Sequence, residues 1–114
     1  MSTGTRALGA AGEELAADHY RRLGYEVLDR NWRCADGELD LVCRRWPVVV
    51  VCEVKTRRSR RFGSPEEAVT RAKQRRIRRL AARWLADHPV AHRAVRFDVA
   101  AVEGGDVRLV ESAF

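Results

Sequence analysis

Residues 48–57 read VVVVCEVKTR, and the way this stretch ends decides both the fold and the chemistry. Val48 to Cys52 form an unbroken, β-branched apolar run, the pattern of a strand buried on both faces. Glu53, Val54 and Lys55 then follow with no turn residue between them. Side chains alternate across a strand, so Glu53 and Lys55 leave the same face, above Val49 and Val51. An acid and a base on one strand face are often an exposed ion pair worth little. After a fully apolar strand, the same pair has the makings of a site.

The segment just before supplies the partner. ELDLVCR (38–44) alternates, with Leu39, Leu41 and Cys43 expected on one face and Glu38, Asp40 and Val42 on the other. Trp46-Pro47 marks a tight connection that makes 38–44 and 48–55 a hairpin, which brings Asp40 within one metal-ligand distance of Glu53. Two carboxylates that close repel unless a divalent cation or a proton sits between them. Oxygen donors suit Mg²⁺ or Mn²⁺ rather than zinc. Lys55 beside such a cation can steer or activate a water and steady phosphate charge, the hardware for hydrolysing a phosphodiester.

Further out, Arg6 to Leu23 predicts a helix with Leu8, Ala11, Leu15, His19 and Leu23 along one stripe, closed by Gly24. YEVLDRNWR (25–33) reads as a strand and CADG (34–37) as a turn. Ser64-Pro65-Glu66-Glu67 reads as a capped helix start, with a capping box between Ser64 and Glu67. That helix is expected to run to about Ala86 with Val69, Ile77, Leu80 and Trp84 on its apolar stripe. Lys73 falls on the same stripe. AVRFDVAAVE (94–103) is a strand, and Gly104-Gly105 turns it into VRLV (107–110). The order α-β-β-β-α-β-β predicts an α/β domain, a mixed sheet flanked by helices.

With 114 residues, 46% of them apolar and 33% charged, the chain suits a single soluble globular domain over 1–114. No apolar stretch is long enough to span a membrane, and the N-terminal residues lack the pattern of a signal peptide, so a cytoplasmic protein is expected. Cys34, Cys43 and Cys52 include no CxxC pair, and a zinc site with His88 and His92 has the wrong spacing. Residues 54–83 hold twelve Lys and Arg against two acids, so this segment carries +10 while the whole chain carries +6. One basic lobe on an otherwise mildly acidic chain fits a polyanion, DNA ahead of RNA, although a solvated arginine face would have the same composition. Of the twenty-two Lys and Arg residues only Lys55 and Lys73 are lysine, which marks them as places where guanidinium does not serve.

Asp40, twelve residues, then Glu53-Val54-Lys55 resembles the PD-(D/E)xK signature of the restriction-endonuclease-like fold. GAAGEELA (9–16), GELDLV (37–42), VVCEVKTR (50–57), SPEEAVTRAK (64–73), RFDV (96–99) and the terminal ESAF together resemble the YraN-like family of uncharacterised bacterial proteins. That family is similar to archaeal Holliday junction resolvases. The resemblance implies a restriction-endonuclease-like fold in which Asp40 and Glu53, with the Val54 carbonyl, hold Mg²⁺ or Mn²⁺ and Lys55 is the catalytic lysine. It implies Glu13 as an acid contributed by the first helix, beyond Gly9 and Gly12, two helical glycines that want a close-packing reason. GELD stands where the broad signature has Pro-Asp, so the proline is absent and the acid present. Glu38 is a third ligand or an ion-pair partner for Arg33 or Arg44. Lys73 reaches the site, binds phosphate or snorkels from the apolar stripe. Arg57, Arg58, Arg60, Arg61, Lys73, Arg75 and Arg76 are the expected nucleic-acid contacts. The expectation is a Mg²⁺-dependent endonuclease, on branched DNA among other substrates, as monomer or homodimer. The alternatives are a catalytically inactive nucleic-acid-binding or scaffolding module of the same fold, and a domain whose arginines meet an acidic protein.

Overall fold

The computed structural model describes residues 2–57 and 69–114. Helix α1 (Ser2–Arg22) is followed by strands β1 (Glu26–Cys34), β2 (Gly37–Arg45) and β3 (Val48–Arg57). Helix α2 (Arg71–Asp87), β4 (Ala94–Glu103) and β5 (Asp106–Val110) complete the chain. The five strands form one mixed sheet in the order β1-β2-β3-β4-β5. β1, β2 and β3 run antiparallel to one another, β3 pairs parallel with β4, and β5 returns antiparallel to β4. α2 is part of the crossover that a parallel β3–β4 pair requires. No helix among the described residues is long and apolar enough to cross a membrane.

The all-apolar run of β3 is explained by its position in the middle of the sheet. Val49 and Val51 pack toward α2 with Ile77, Leu80, Ala81 and Trp84, while Val50 and Cys52 pack toward α1 with Ala16, Ala17 and Tyr20. A strand covered on both faces has no solvent side, so alternation disappears. At the far end of the sheet Gly104 and Gly105, with φ of 57° and 86°, form the two-residue turn between β4 and β5 that only positive-φ residues accommodate easily.

Three expectations are corrected. Where its side chains are described, the expected α1 stripe is not the core face: Ala11 and Leu23 are exposed, whereas Gly12, Ala16, Ala17 and Tyr20 are buried, and the Leu8 side chain lies outside the described ones. Ala16 and Ala17, next to Gly12, let the helix approach the sheet closely, and Tyr20 fills the space toward Asp98. The helix expected to run unbroken from Ser64 to about Ala86 is interrupted at Val69 and Thr70: α2 starts at Arg71 with Thr70 as its N-cap, its side chain accepting from the Lys73 N–H. The proposed capping box at Ser64 and Glu67 lies outside the described residues. Val69, Ile77, Leu80 and Trp84 are all buried as the stripe requires, although Val69 precedes the helix.

The third correction concerns β2. Leu39 belongs to the core on the α2 side with Val42, whereas Leu41 and Cys43 belong to the α1 side. The strand changes face at Asp40. β1 changes with it: Arg30 pairs with Leu41 and Trp32 with Leu39, leaving Asn31, at φ 50°, opposite Asp40. Strict period-2 alternation fails where a left-handed residue inserts a twist.

The two helical glycines differ. A Cβ on Gly12 would lie 2.0 Å from Thr56 Oγ1 on β3 and 3.2 Å from its Cγ2, whereas one on Gly9 would meet nothing within 4 Å. Gly12→Ala is expected to destabilise the protein by about 1–3 kcal/mol through overpacking. Gly9→Ala is expected to stabilise it by roughly 0.5–1 kcal/mol through helix propensity. Urea denaturation of the two variants separates these signs.

Candidate active site where two strands part

The β2–β3 ladder ends at the pair Leu41↔Cys52. One residue further, the same register sets Asp40 opposite Glu53, where the strands no longer exchange backbone hydrogen bonds. The Val54 N–H donates instead to Asp40 Oδ2 at 2.9 Å. The two carboxyl groups are close enough that each sets the other's titration. Glu53 is 8% exposed, a buried acid between the sheet and α2. Lys73 Nζ lies 2.6 Å from Glu53 Oε2, and Lys55 Nζ lies 3.9 Å from the same oxygen. An open cleft of about 640 Å³ borders the group, with Arg33 and Glu38 on the β1–β2 side and Arg76, Ile77 and Leu80 on the α2 side.

The electrostatics follow from burial and sharing. Burial, together with the hydrogen bond and charge of Glu53, pushes the Asp40 carboxyl up to about 8. Burial alone would raise Glu53 too, but hydrogen bonds from Asp40 and Lys73 and the charges of both lysines hold it below its ordinary value. Near neutral pH the pair is therefore an acid donating to a carboxylate. Lys55 is lowered, first by burial and then by its neighbour Lys73, whereas Lys73 is raised because its contacts with Glu53 outweigh burial.

The donor set fits a hard divalent cation. Two carboxyl groups set this close, if both are ionised, call for a positive charge between them, the place a cation would take. Among the described residues no group of three or more His, Cys, Asp or Glu side chains could hold a metal ion. A cation would thus rest on Asp40 and Glu53, with the Val54 carbonyl and waters completing its shell. Mg²⁺ keeps several waters and accepts one or two carboxylates, so two protein acids suffice.

The other expected residues separate. Glu13 does not line the cleft; it is half-buried, hydrogen-bonded to Asn31, raised above its ordinary value by burial, and its charge reaches Asp40. Glu38 pairs with Arg33 at 3.1 Å, both side chains being well exposed. Lys73, whose role the sequence leaves open, reaches the site. Arg75 and Arg76 are exposed on α2, and Arg57 ends β3. Arg58, Arg60 and Arg61 lie outside the described residues.

One polar cluster escaped the sequence reading. Asp98 on β4 is fully buried and accepts from Tyr20 on α1 at 2.7 Å and from both Nε and Nη2 of Arg96 at 2.9 Å. Ser112 N–H donates to it as well, and Arg96 reaches the Tyr25 hydroxyl. Asp98 pairs in register with Cys52, the neighbour of Glu53. It therefore fixes α1 and β4 against the strand that carries the site. The available signal is Arg-x-Asp within a strand whose other residues before Glu103 are all apolar.

A model of the "Uncharacterised protein family UPF0102" matches residues 12–102, a span that includes Glu13, Asp40, Glu53, Lys55 and Lys73. The chain belongs to this family. A UPF0102 protein of Frankia casuarinae is 60% identical over 93 residues, covering 82% of this chain and 79% of the relative. One from Frankia alni is 60% identical over 96 residues, covering 84% and 80%. One from Acidothermus cellulolyticus is 47% identical over 123 aligned positions, covering 95% and 93%. The YraN-like resemblance and this membership agree.

The raised Asp40 predicts a pH dependence. Its folded pKa lies above the unfolded value, so the folded state binds the extra proton between about pH 4 and 8 and loses stability as pH rises through that window. Glu53, shifted the other way, loses its contribution only as pH falls below its ordinary range. Asp40→Asn keeps the hydrogen-bonding shape without the titration. Thermal melts across pH should show a shallower loss from pH 4 to 8 in the variant and greater stability than wild type at pH 8.

Proposed function

We propose that this UPF0102 protein is a divalent-cation-dependent nuclease that hydrolyses nucleic-acid phosphodiester bonds, DNA in preference to RNA, in the cytoplasm. The observation that carries the reading is the convergence of Asp40, Glu53 and Lys55 beside an open cleft bordered by an arginine-rich helix. The PD-(D/E)xK resemblance supports it, as do three unpaired thiols that suit a reducing compartment.

Asp40 and Glu53 would hold Mg²⁺ or Mn²⁺, which supplies Lewis acidity toward a phosphoryl oxygen and eases ionisation of water. Lys55, on the same strand face as Glu53, donates to a non-bridging phosphate oxygen and offsets the charge that develops there. Arg71, Arg75, Arg76, Arg79 and Arg83 are exposed on α2 and line up a path for neighbouring phosphates. Among the described residues that line the cleft none is aromatic. Base stacking is the usual grip on single strands, so contact with a duplex backbone, branched or linear, is the better fit.

One observation favours a module that binds without turnover. The Lys73 ammonium lies 2.6 Å from Glu53 and by itself pairs the buried carboxylate.

The test is a panel of single-stranded, duplex, flap and four-way-junction DNA with Mg²⁺ or Mn²⁺. Wild type is expected to cleave, and Lys55→Met and Asp40→Asn to lose at least about 100-fold in rate while still binding. Binding should fall with salt at a slope of about −0.9 per phosphate contact, and Arg75→Glu with Arg76→Glu should flatten that slope. Equal cleavage by wild type and Lys55→Met removes the activity from this site. Binding of the panel without cleavage by wild type in either metal makes the module reading correct.

A further inference from the structure

The only two lysines in the chain both converge on one carboxylate oxygen. Lys73 Nζ lies 2.6 Å and Lys55 Nζ 3.9 Å from Glu53 Oε2, although the sequence offers twenty-two cations and otherwise uses arginine throughout. We infer that Lys73 is a second functional cation, parked on Glu53 in the free protein and released to the substrate's phosphate when a divalent cation is bound. The inference rests on the nuclease reading and goes beyond it, because it assigns Lys73 a role and couples metal binding to nucleic-acid binding.

Placement gives the first argument. Lys73 sits in the first turn of α2, where its own N–H is capped by Thr70 Oγ1 at 3.2 Å. A cation there faces the positive end of the helix dipole, which disfavours it. The first turn of α2 contains no acid to compensate. Glu53, reached across the gap between helix and sheet, is the compensation, so Lys73 is held in place by a group outside its own helix.

Competition gives the second. A divalent cation resting on Asp40 and Glu53 needs carboxylate oxygens, and an ammonium at hydrogen-bond distance occupies Oε2. Two lysines and a divalent ion exceed the charge of two ionised carboxylates, so a loaded site carries a positive excess. A phosphodiester relieves that excess. The cation alone is therefore held weakly, and cation and nucleic acid strengthen each other, reciprocally, as linkage demands.

Residue type and exposure give the third. The Lys73 side chain is 33% exposed and lines the cleft, so its ammonium has somewhere to go. A lysine makes a point contact on a flexible stem, whereas arginine would lock a carboxylate through a two-pronged fork. A cation that must let go is better built as lysine.

Isothermal calorimetry with Mn²⁺ tests this. Without DNA, Lys73→Met is expected to bind Mn²⁺ about tenfold more tightly than wild type, because the competing ammonium is gone. Lys73→Gln, which keeps a donor to Glu53 but no charge, should shift the same way, and circular dichroism melts verify that both variants fold. In a Lys55→Met background, which prevents cleavage, a short duplex should raise Mn²⁺ affinity at least about fivefold, and adding Lys73→Met should remove most of that gain. Equal Mn²⁺ affinity of wild type and both folded Lys73 variants overturns the inference and leaves the nuclease reading standing. Absence of Mn²⁺ binding in every protein, with or without DNA, overturns both.

Discussion

The hydrogen bond from the Val54 N–H to Asp40 Oδ2 is the constraint on which the site depends. β3 is the central strand, and an N–H left unpaired there would cost the desolvation of a polar group in a buried setting. The β2–β3 ladder stops at Leu41↔Cys52, while β3 stays paired with β4 as far as Arg57↔Glu103. Beyond Cys52 one edge of β3 is without its strand neighbour. Asp40 meets that need with a side chain instead of a backbone carbonyl. The same carboxyl group is thereby held against Glu53, so closing the ladder and assembling an acid pair are one structural event.

The change of face in β1 and β2 serves this arrangement. Asn31 and Asp40 stand opposite each other where both strands switch sides, so Leu39 packs toward α2 and Leu41 toward α1. The switch opens the sheet at its edge and exposes a cleft there without stripping either core of its apolar residues. Glu13 on α1 stays outside the cleft, although its charge is felt at Asp40. The helix that sends a charged side chain into the parting of the strands is α2, through Lys73.

A second buried charge cluster steadies the opposite face. Asp98 is satisfied by Tyr20, Arg96 and the Ser112 N–H, which couples α1, β4 and the segment after β5. An ion pair with its remaining acceptor sites filled by hydrogen bonds is the form in which a buried charge is tolerated. Because Asp98 pairs with Cys52, movement in this cluster would be transmitted to Glu53, one residue along.

Much of this was legible in the chain itself. The run Val48–Cys52 has no polar side and therefore must be central. Gly104-Gly105 demands positive φ and therefore turns a hairpin. The Trp46-Pro47 connection sets β2 against β3, and with it Asp40 near Glu53. These follow from local covalent geometry and from periodicity, which sequence records directly. What sequence could not decide were quantities set by distant neighbours. Alternation placed Leu39 with Leu41, but a left-handed residue on β1 moved it to the other core. Periodicity on α1 favoured Leu8, Ala11, Leu15, His19 and Leu23, but close approach to β3 selected the face with Gly12, Ala16 and Ala17. Lys73 was equally a core-stripe lysine or a site residue until α2 was laid against β3. Its ammonium found Glu53 because a buried carboxylate and a helix N-terminus without an acid each lacked a partner, and only the tertiary fold brings the two together.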